Sequence, residues 1–495
     1  MPAVWYSRSR ARFVAPDGAS LSRGFGLGVS LNGAYRAARR YPFDAARRLR
    51  LAKVLLGTRR LDLARRHALR AAALAPTGWS RALDLGRLLF QLGEFEQARH
   101  WMSLGLETGI PNATAMRTFS ALLTQAGKAE ESRTLLTATA RECAFELPRR
   151  IDPSKPNVLQ IRTPENSTMK VGRDKMTGLN MTAYCEGHFS TRHLLATSQF
   201  NVIHANIAGN HLPALAGLPE IAVVINTVSC PDLNADILEK ISDFCRQLGD
   251  VPMVNHPGAV LRTTREMNAQ RLGALDGVQM ARTLIFVNDG APKDVAQSLE
   301  VHGIGYPMIL RKAGTQTGHT LAKIDGRASL LSYLSGMPHG TRLYAGAFID
   351  CRDACGTYRK TRAFFIDGQF YPVANLKSDH WQIHSSDRYR LMHTSEAMQI
   401  DEERYLANPV EYLGKSRLER LYAVRNLIGL DFFGIDFTTA PNEELLIFEA
   451  NAAMRHNYDH VDTFPYTKPY LDRISNAFTR MIHQRAEQRG FFVSS

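Results

Sequence analysis

The sequence predicts a multidomain protein, an all-α helical repeat region followed by α/β domains. Three observations carry that prediction. From about Ala45 to Ala140, Ala, Leu and Arg dominate with almost no β-branched clusters, which favours helix. Within this stretch the chain resembles itself at an offset of 34 residues. Beyond the Pro-rich, polar segment Leu147–Asn157, short β-type runs alternate with amphipathic stretches, the pattern of a mainly parallel sheet covered by helices. At 495 residues the chain is long enough for several cores.

The repeat shows best in register. Gln91-Leu92-Gly93-Glu94-Phe95-Glu96-Gln97-Ala98-Arg99 aligns with Gln125-Ala126-Gly127-Lys128-Ala129-Glu130-Glu131-Ser132-Arg133, and Ala64 lies 34 residues before Ala98. Gly57, the nearest turn glycine upstream, is out of register with Gly93. A helix-turn-helix unit with a turn glycine and a small residue at the helix crossing resembles tetratricopeptide repeats. That resemblance implies a docking surface over residues 45–146 rather than catalysis. Residues 1–44 read as a basic irregular segment; their Gly-Phe-Gly-Leu-Gly stretch (24–28) has no preceding strand to make it a nucleotide fingerprint.

Charge is concentrated at the same end. Residues 1–150 hold 25 Lys+Arg against 11 Asp+Glu, a surplus equal to the whole-chain net of +14. A basic face of this kind suits an acidic protein or peptide partner, and nucleic acid is not expected. No apolar run reaches the roughly 18–20 residues that cross a bilayer, and the start lacks an apolar signal core. A cytoplasmic protein without a membrane span is expected. Six cysteines in so long a chain do not form a disulfide framework; Cys351 and Cys355 lack the further ligands of a zinc site.

After the linker at 147–157, a first α/β domain is expected over 158–283, with strands at 158–161, 200–204, 221–226 and 251–255 and a helix at 233–248. A second follows over 284–490. Its informative stretch is Gly434-Ile435-Asp436-Phe437, a polar turn, and Leu445-Leu446-Ile447-Phe448-Glu449-Ala450-Asn451, read as a β-hairpin. Strand alternation puts Glu449 and Asn451 on one face, and Asp436 can reach it from the partner strand. Three oxygen donors set into apolar strands suit a hard cation such as Mg²⁺. Upstream, Lys360 and Arg362 share a strand face, where two cations repel unless an anion lies between them. The loop Gly314-Thr315-Gln316-Thr317-Gly318 offers backbone N–H groups and hydroxyls to phosphate oxygens.

Gly-Ile-Asp-Phe followed by Leu-Leu-Ile-Phe-Glu-Ala-Asn closely resembles the magnesium-binding end of ATP-grasp enzymes, the glutathione synthetase-like and ribosomal-protein glutamate ligases. The resemblance covers roughly residues 250–460. It implies that Asp436, Glu449 and Asn451 hold Mg²⁺ (or Mn²⁺) on the phosphates of ATP. It implies a nucleotide contact at Arg311, where the family carries Lys, a loop at 314–318 closing over the phosphates, and a hinge at Phe348 and Ile349 beside adenine. Arg362, with Lys360, corresponds to the cation on the transferred phosphate. Arg265 lies where the entry segment usually has Lys, yet it reads equally as a surface residue opening a helix.

The implied activity is an ATP- and Mg²⁺-dependent carboxylate–amine (or thiol) ligase working through an acyl phosphate and releasing ADP. The carboxylate and the acceptor are unspecified. The alternative is a repeat-containing nucleotide-binding scaffold without ligase activity. His380, Trp381 and His384 are left without a role.

Overall fold

The computed structural model describes residues 30–109, 113–148, 150–174, 177–185, 187–209, 212–315, 318, 320–440 and 442–491. Seven helices come first: α1 (Leu31–Arg40), α2 (Ala45–Gly57), α3 (Leu61–Ala73), α4 (Trp79–Gln91), α5 (Phe95–Thr108), α6 (Ala113–Gln125) and α7 (Ala129–Glu142). Helices α2, α4 and α6 start at 45, 79 and 113, and α3, α5 and α7 at 61, 95 and 129, so the hairpin recurs every 34 residues. Small residues recur with it. Ala52, Gly86 and Ser120 on the first helices and Ala64, Ala98 and Ser132 on the second are all buried. A Cβ at Gly86 would collide with Met102, and Ser120 Oγ lies 2.6 Å from Ser132 Oγ, so each helix pair closes at this point.

Helix α1 corrects the expectation of irregular chain through residue 44. The Ser30 side chain accepts from Gly33 N, and Ala34 and Ala38 are buried. Residues 24–28 lie outside the described residues.

The turn between paired helices needs a left-handed residue. Gly93 (φ 88°) and Gly127 (φ 78°) supply it in the second and third hairpins. In the first hairpin Arg59 takes it at φ 58°, and Gly57 is simply the last residue of α2. A residue with a Cβ pays about 1–2 kcal/mol there, partly offset by the extra chain entropy glycine loses on folding. Arg59→Gly should therefore stabilise the protein by about 0.5–1 kcal/mol, read as a higher midpoint in calorimetry.

Five strands follow: β1 (Phe145–Glu146), β2 (Asn157–Arg162), β3 (Thr168–Arg173), β4 (Asn180–Cys185) and β5 (Asn201–Asn206). The described chain divides into two compact units, and it alternates between them here. The helical unit takes the residues up to Asp152 together with Thr163–Cys185 and Ile203–Leu215. Its β3–β4 hairpin is antiparallel, with Thr168 opposite Cys185. Met169 packs with Ala121 and Leu136, Val171 and Leu179 lie on the helical core, and Asn180 Nδ2 donates to the carbonyls of Phe90 and Gln91. A linker at 147–157 followed by an unbroken α/β domain therefore misses this return.

The second unit holds Pro153–Arg162, Glu186–Val202 and the chain from Ala216 onward. Strand β2 pairs in parallel with β6 (Val223–Asn226), and β6 with β7 (Met253–Val254). Helix α8 (Pro231–Gln247) connects β6 and β7, the right arrangement for parallel neighbours. Then come α9 (Pro257–Leu261), α10 (Arg265–Leu272), β8 (Val278–Met280), β9 (Thr283–Asn288), α11 (Pro292–Val301), β10 (Met308–Lys312), β11 (Ala322–Ile324), α12 (Arg327–Ser335) and β12 (Thr341–Ala347). Four of these strands form an antiparallel sheet in the order β11-β10-β12-β9.

A second sheet runs β14-β13-β15-β16-β8, built from β13 (Tyr358–Ile366), β14 (Gln369–Ser378), β15 (Phe432–Thr439) and β16 (Leu445–Asn451). Only the β16–β8 pair is parallel. Between β14 and β15 lie α13 (Ser385–Arg390), α14 (Glu396–Ala407), α15 (Pro409–Leu413) and α16 (Lys415–Ile428), and α17 (Lys468–Glu487) follows β16. The core under this sheet is aromatic: Phe364 stacks on Phe432 at 5.1 Å between centroids, and Phe478 of α17 meets Phe432 edge-on.

Candidate active site

The two sheets face each other across a cavity of about 550 Å³, within the range of small-molecule sites. One wall comes from β9, β10 and β12, the other from β13 to β16 and β8. Register fixes what they present. Arg362 of β13 lies opposite Asp436 of β15, and Asp436 lies opposite Glu449 of β16, so three charged residues form one row across three strands. Asn451 lies opposite Gly434, where an added Cβ would sit about 2.5 Å from Met454 Cβ, so glycine lets the chain after β16 fold back over the strand.

The hydrogen bonds are specific. Arg362 clasps Asp436 with both arms, Nε to Oδ1 at 2.6 Å and Nη2 to Oδ2 at 2.7 Å. Lys360 Nζ lies 4.0 Å from Asp436 Oδ2 and donates to the Ile383 carbonyl at 2.5 Å. Glu449 Oε1 accepts from Asn451 Nδ2 at 2.5 Å and from Arg265 Nη2. Arg311 donates to the Thr315 carbonyl. Tyr344 gives its proton to Asp232 Oδ1 at 2.5 Å.

Burial and charge shift these groups. Burial works to raise the Asp436 carboxyl, but the Arg362 guanidinium and its hydrogen bonds, helped by Lys360 and Arg265, hold it below the usual carboxylate range. Burial lowers Lys360, and Arg362 adds to that against the pull of Asp436. Arg311 is pushed down to about 10, first by burial and then by Arg265. Burial acts downward on Arg362 too, yet Asp436 outweighs it and the guanidinium stays above its ordinary value.

The residues singled out in the sequence fall as follows. Lys360, Arg362, Arg311, Phe348, Ile349, Gly318, Asp436 and Glu449 all line the cavity. Gly314, Thr315 and Asn451 border a smaller recess, together with Arg265, Arg311, Cys230 and Asp232. Gln316 and Thr317 lie outside the described residues. Phe348 is framed by Trp381, edge-on at 5.9 Å, and Lys323 Nζ, 4.7 Å from its ring centre. Trp381 and His384 line the cavity, whereas His380 turns to Asp379.

Arg265 corrects the surface reading. Thr264 caps α10 by accepting from Met267 N, which fixes Arg265 at the first helical position, and its guanidinium reaches across to Glu449. The 184 residues between them hide that pair from local pattern. Sequence reading also passed over Tyr344 with Asp232, the buried Arg388 and His456, all single residues in ordinary strand, helix or loop contexts.

The donor set is compatible with a divalent cation. A carboxylate offers about four acceptor positions, so Asp436 and Glu449 keep capacity beyond their arginine bonds. Among the described residues no group of three or more His, Cys, Asp or Glu converges. A cation here would thus be held by two carboxylates and an amide, and completed by oxygens of its ligand.

No protein-family model matches the chain, and no curated protein does. Among solved structures the chain is similar to the VanG D-Ala:D-Ser ligase of Enterococcus faecalis, at 10% identity over 66% of this chain and 99% of that one, with a TM-score of 0.39. A RimK-domain ATP-grasp protein of Sphaerobacter thermophilus matches at 11% identity over 66% and 99%, also at 0.39. The D-alanyl-alanine synthetase A of Vibrio cholerae matches at 13% identity over 68% and 99%, again at 0.39.

Proposed function

We propose that the second unit is an ATP-grasp ligase, activating a carboxylate with ATP and passing it to an amine, or less commonly a thiol, with release of ADP. The observation that carries this is the charge balance of the cavity. Arg265, Arg311, Lys360 and Arg362 face only Asp436 and Glu449. A surplus of positive charge in a half-buried cavity is stable when a polyanion neutralises it. In this reading Arg311 and the 314–318 loop take the phosphates, and Phe348 and Ile349 flank the base. Arg362 and Lys360 stabilise charge on the transferred phosphoryl group.

Mg²⁺, with Mn²⁺ as a substitute, fits at Asp436, Glu449 and Asn451, where it would neutralise phosphate charge. The repeat unit is the docking element. Its exposed Arg36, Arg39, Arg40, Arg50, Arg59 and Arg60 suit an acidic protein or peptide. Among the described residues no helix is long and apolar enough to cross a membrane, and the cytoplasm is the proposed compartment.

Thermal unfolding with ATP, in the presence and absence of Mg²⁺, tests the assignment. Mg·ATP at a hundred times its Kd should stabilise the protein by about 2.7 kcal/mol, with a clear loss when Mg²⁺ is withdrawn. Equal stabilisation without Mg²⁺ removes the metal assignment, and none at all removes the nucleotide reading. ADP release on adding a cell extract separates a ligase from a nucleotide-binding scaffold.

A further inference from the structure

At one end of the cavity His456 is only 5% exposed, and its hydrogen bonding fixes where its proton sits. Ser475 Oγ lies 2.5 Å from the His193 carbonyl, a separation that needs the single hydroxyl proton between the two oxygens. Ser475 Oγ therefore accepts from its other neighbours. His456 Nε2, at 3.0 Å, must be the donor to it, so the ring carries its proton on Nε2. Tyr458 completes the arrangement by donating to Asp472 Oδ1 at 3.0 Å. The remaining ring nitrogen, Nδ1, is buried and has no partner among the described residues. A buried acceptor left unmade costs about 1–3 kcal/mol.

The ring also has a defined place relative to the charged row. It meets the Phe364 ring edge-on, with centroids 6.1 Å apart, and Phe364 is two residues along β13 from Arg362. That is one strand repeat, about 7 Å. Burial, then the neighbouring His193, holds the imidazole down to about 4, against the pull of Asp472, so the ring is neutral at cellular pH.

Resting on the ligase reading, we infer that His456 binds the acceptor substrate, its Nδ1 accepting a hydrogen bond from the attacking nitrogen of a neutral amine. A neutral acceptor offers no counter-charge to an ammonium ion, and the neighbouring carboxylate of Asp472 is already taken by Tyr458 and by Lys468 at 2.6 Å. The site thus favours the form of an amine that is able to attack. His456 is a binding residue here; the phosphoryl chemistry stays with Arg362, Lys360 and the carboxylates.

The test uses the full chain labelled with ¹⁵N-histidine. The His456 resonances should report Nε2 protonated and Nδ1 bare, and ethylamine added with Mg·ATP should shift the Nδ1 signal. His456→Phe should weaken ethylamine binding about tenfold with Mg·ATP affinity unchanged, and His456→Asn, which keeps an acceptor near Nδ1, should recover most of it. Ser475→Ala guards against a misfolded His456 variant: it leaves the cavity lining in place and should mix the two tautomers. A proton on Nδ1, no response to ethylamine while Mg·ATP binds normally, or a response to ethanol in place of ethylamine each overturns the inference. Failure of Mg·ATP to bind overturns the ligase reading instead, and is read separately by thermal stabilisation.

Discussion

Asp436→Asn is expected to cut ATP-dependent turnover by about a hundredfold or more and to erase the Mg²⁺ dependence of nucleotide stabilisation. The substitution keeps shape but removes the charge on which the row Arg362–Asp436–Glu449 is balanced. It also leaves Arg362 and Lys360 side by side without their shared anion. Removing one partner of a buried pair costs about 3–5 kcal/mol, and the part-exposed Arg362 places this case at the low end.

The pH dependence has a definite sign. The folded carboxyl lies below its unfolded value. The stability it contributes is thus present above the unfolded value, near 3.9, and is lost as pH falls through the folded one. Wild type and Asp436→Asn should therefore converge in stability in acid and separate above about pH 4. Denaturation curves at a series of pH values check this; a constant gap down to pH 2 would sink the account.

Glu402→Leu should produce the largest loss of stability, about 4 kcal/mol. Glu402 is fully buried in α14 and takes both arms of Arg388, Nη1 and Nη2, at 2.6 Å each. It also accepts from Tyr466 OH at 2.7 Å and from Asn375 N at 2.9 Å. Leucine would strand a buried guanidinium, a phenol and a strand amide together. Most of the penalty is the uncompensated Arg388 charge, so Arg388→Met added to Glu402→Leu should recover more than half of it. Chemical denaturation of the two variants measures this, and additive losses would refute the coupling. Because Arg388 also borders the cavity, the double variant reports whether that cation is structural or engages the ligand.

What could be read from the sequence follows the range of the interactions. Asp436, Glu449 and Asn451 were legible because they lie on two strands joined by a short turn, where alternation alone decides which side chains converge. The period of the helical hairpins was legible for the same reason. Arg362 meeting Asp436, 74 residues away, and Arg265 meeting Glu449 depend on which strand lies beside which, and no local pattern encodes that. The shift in register after Asp436 is likewise a pairing property rather than a composition signal. Arg59 escaped notice because glycine is the usual marker of a left-handed residue, and here the fold tolerates its absence. Residues 163–185 were assigned to the wrong unit because a two-stranded hairpin reads the same whatever surface it covers.

That last segment bears on the order in which the protein can be made. The helical unit contains residues up to Leu215, so a ribosome that has finished all seven helices has not yet supplied the strands that cover Ala121 and Leu136. The array must wait, with part of its apolar surface unsheltered, while the early part of the second unit is already emerging between its own missing pieces. Synthesis is thus interleaved rather than domain by domain. A fragment ending at the linker would carry every repeat and still lack its cover.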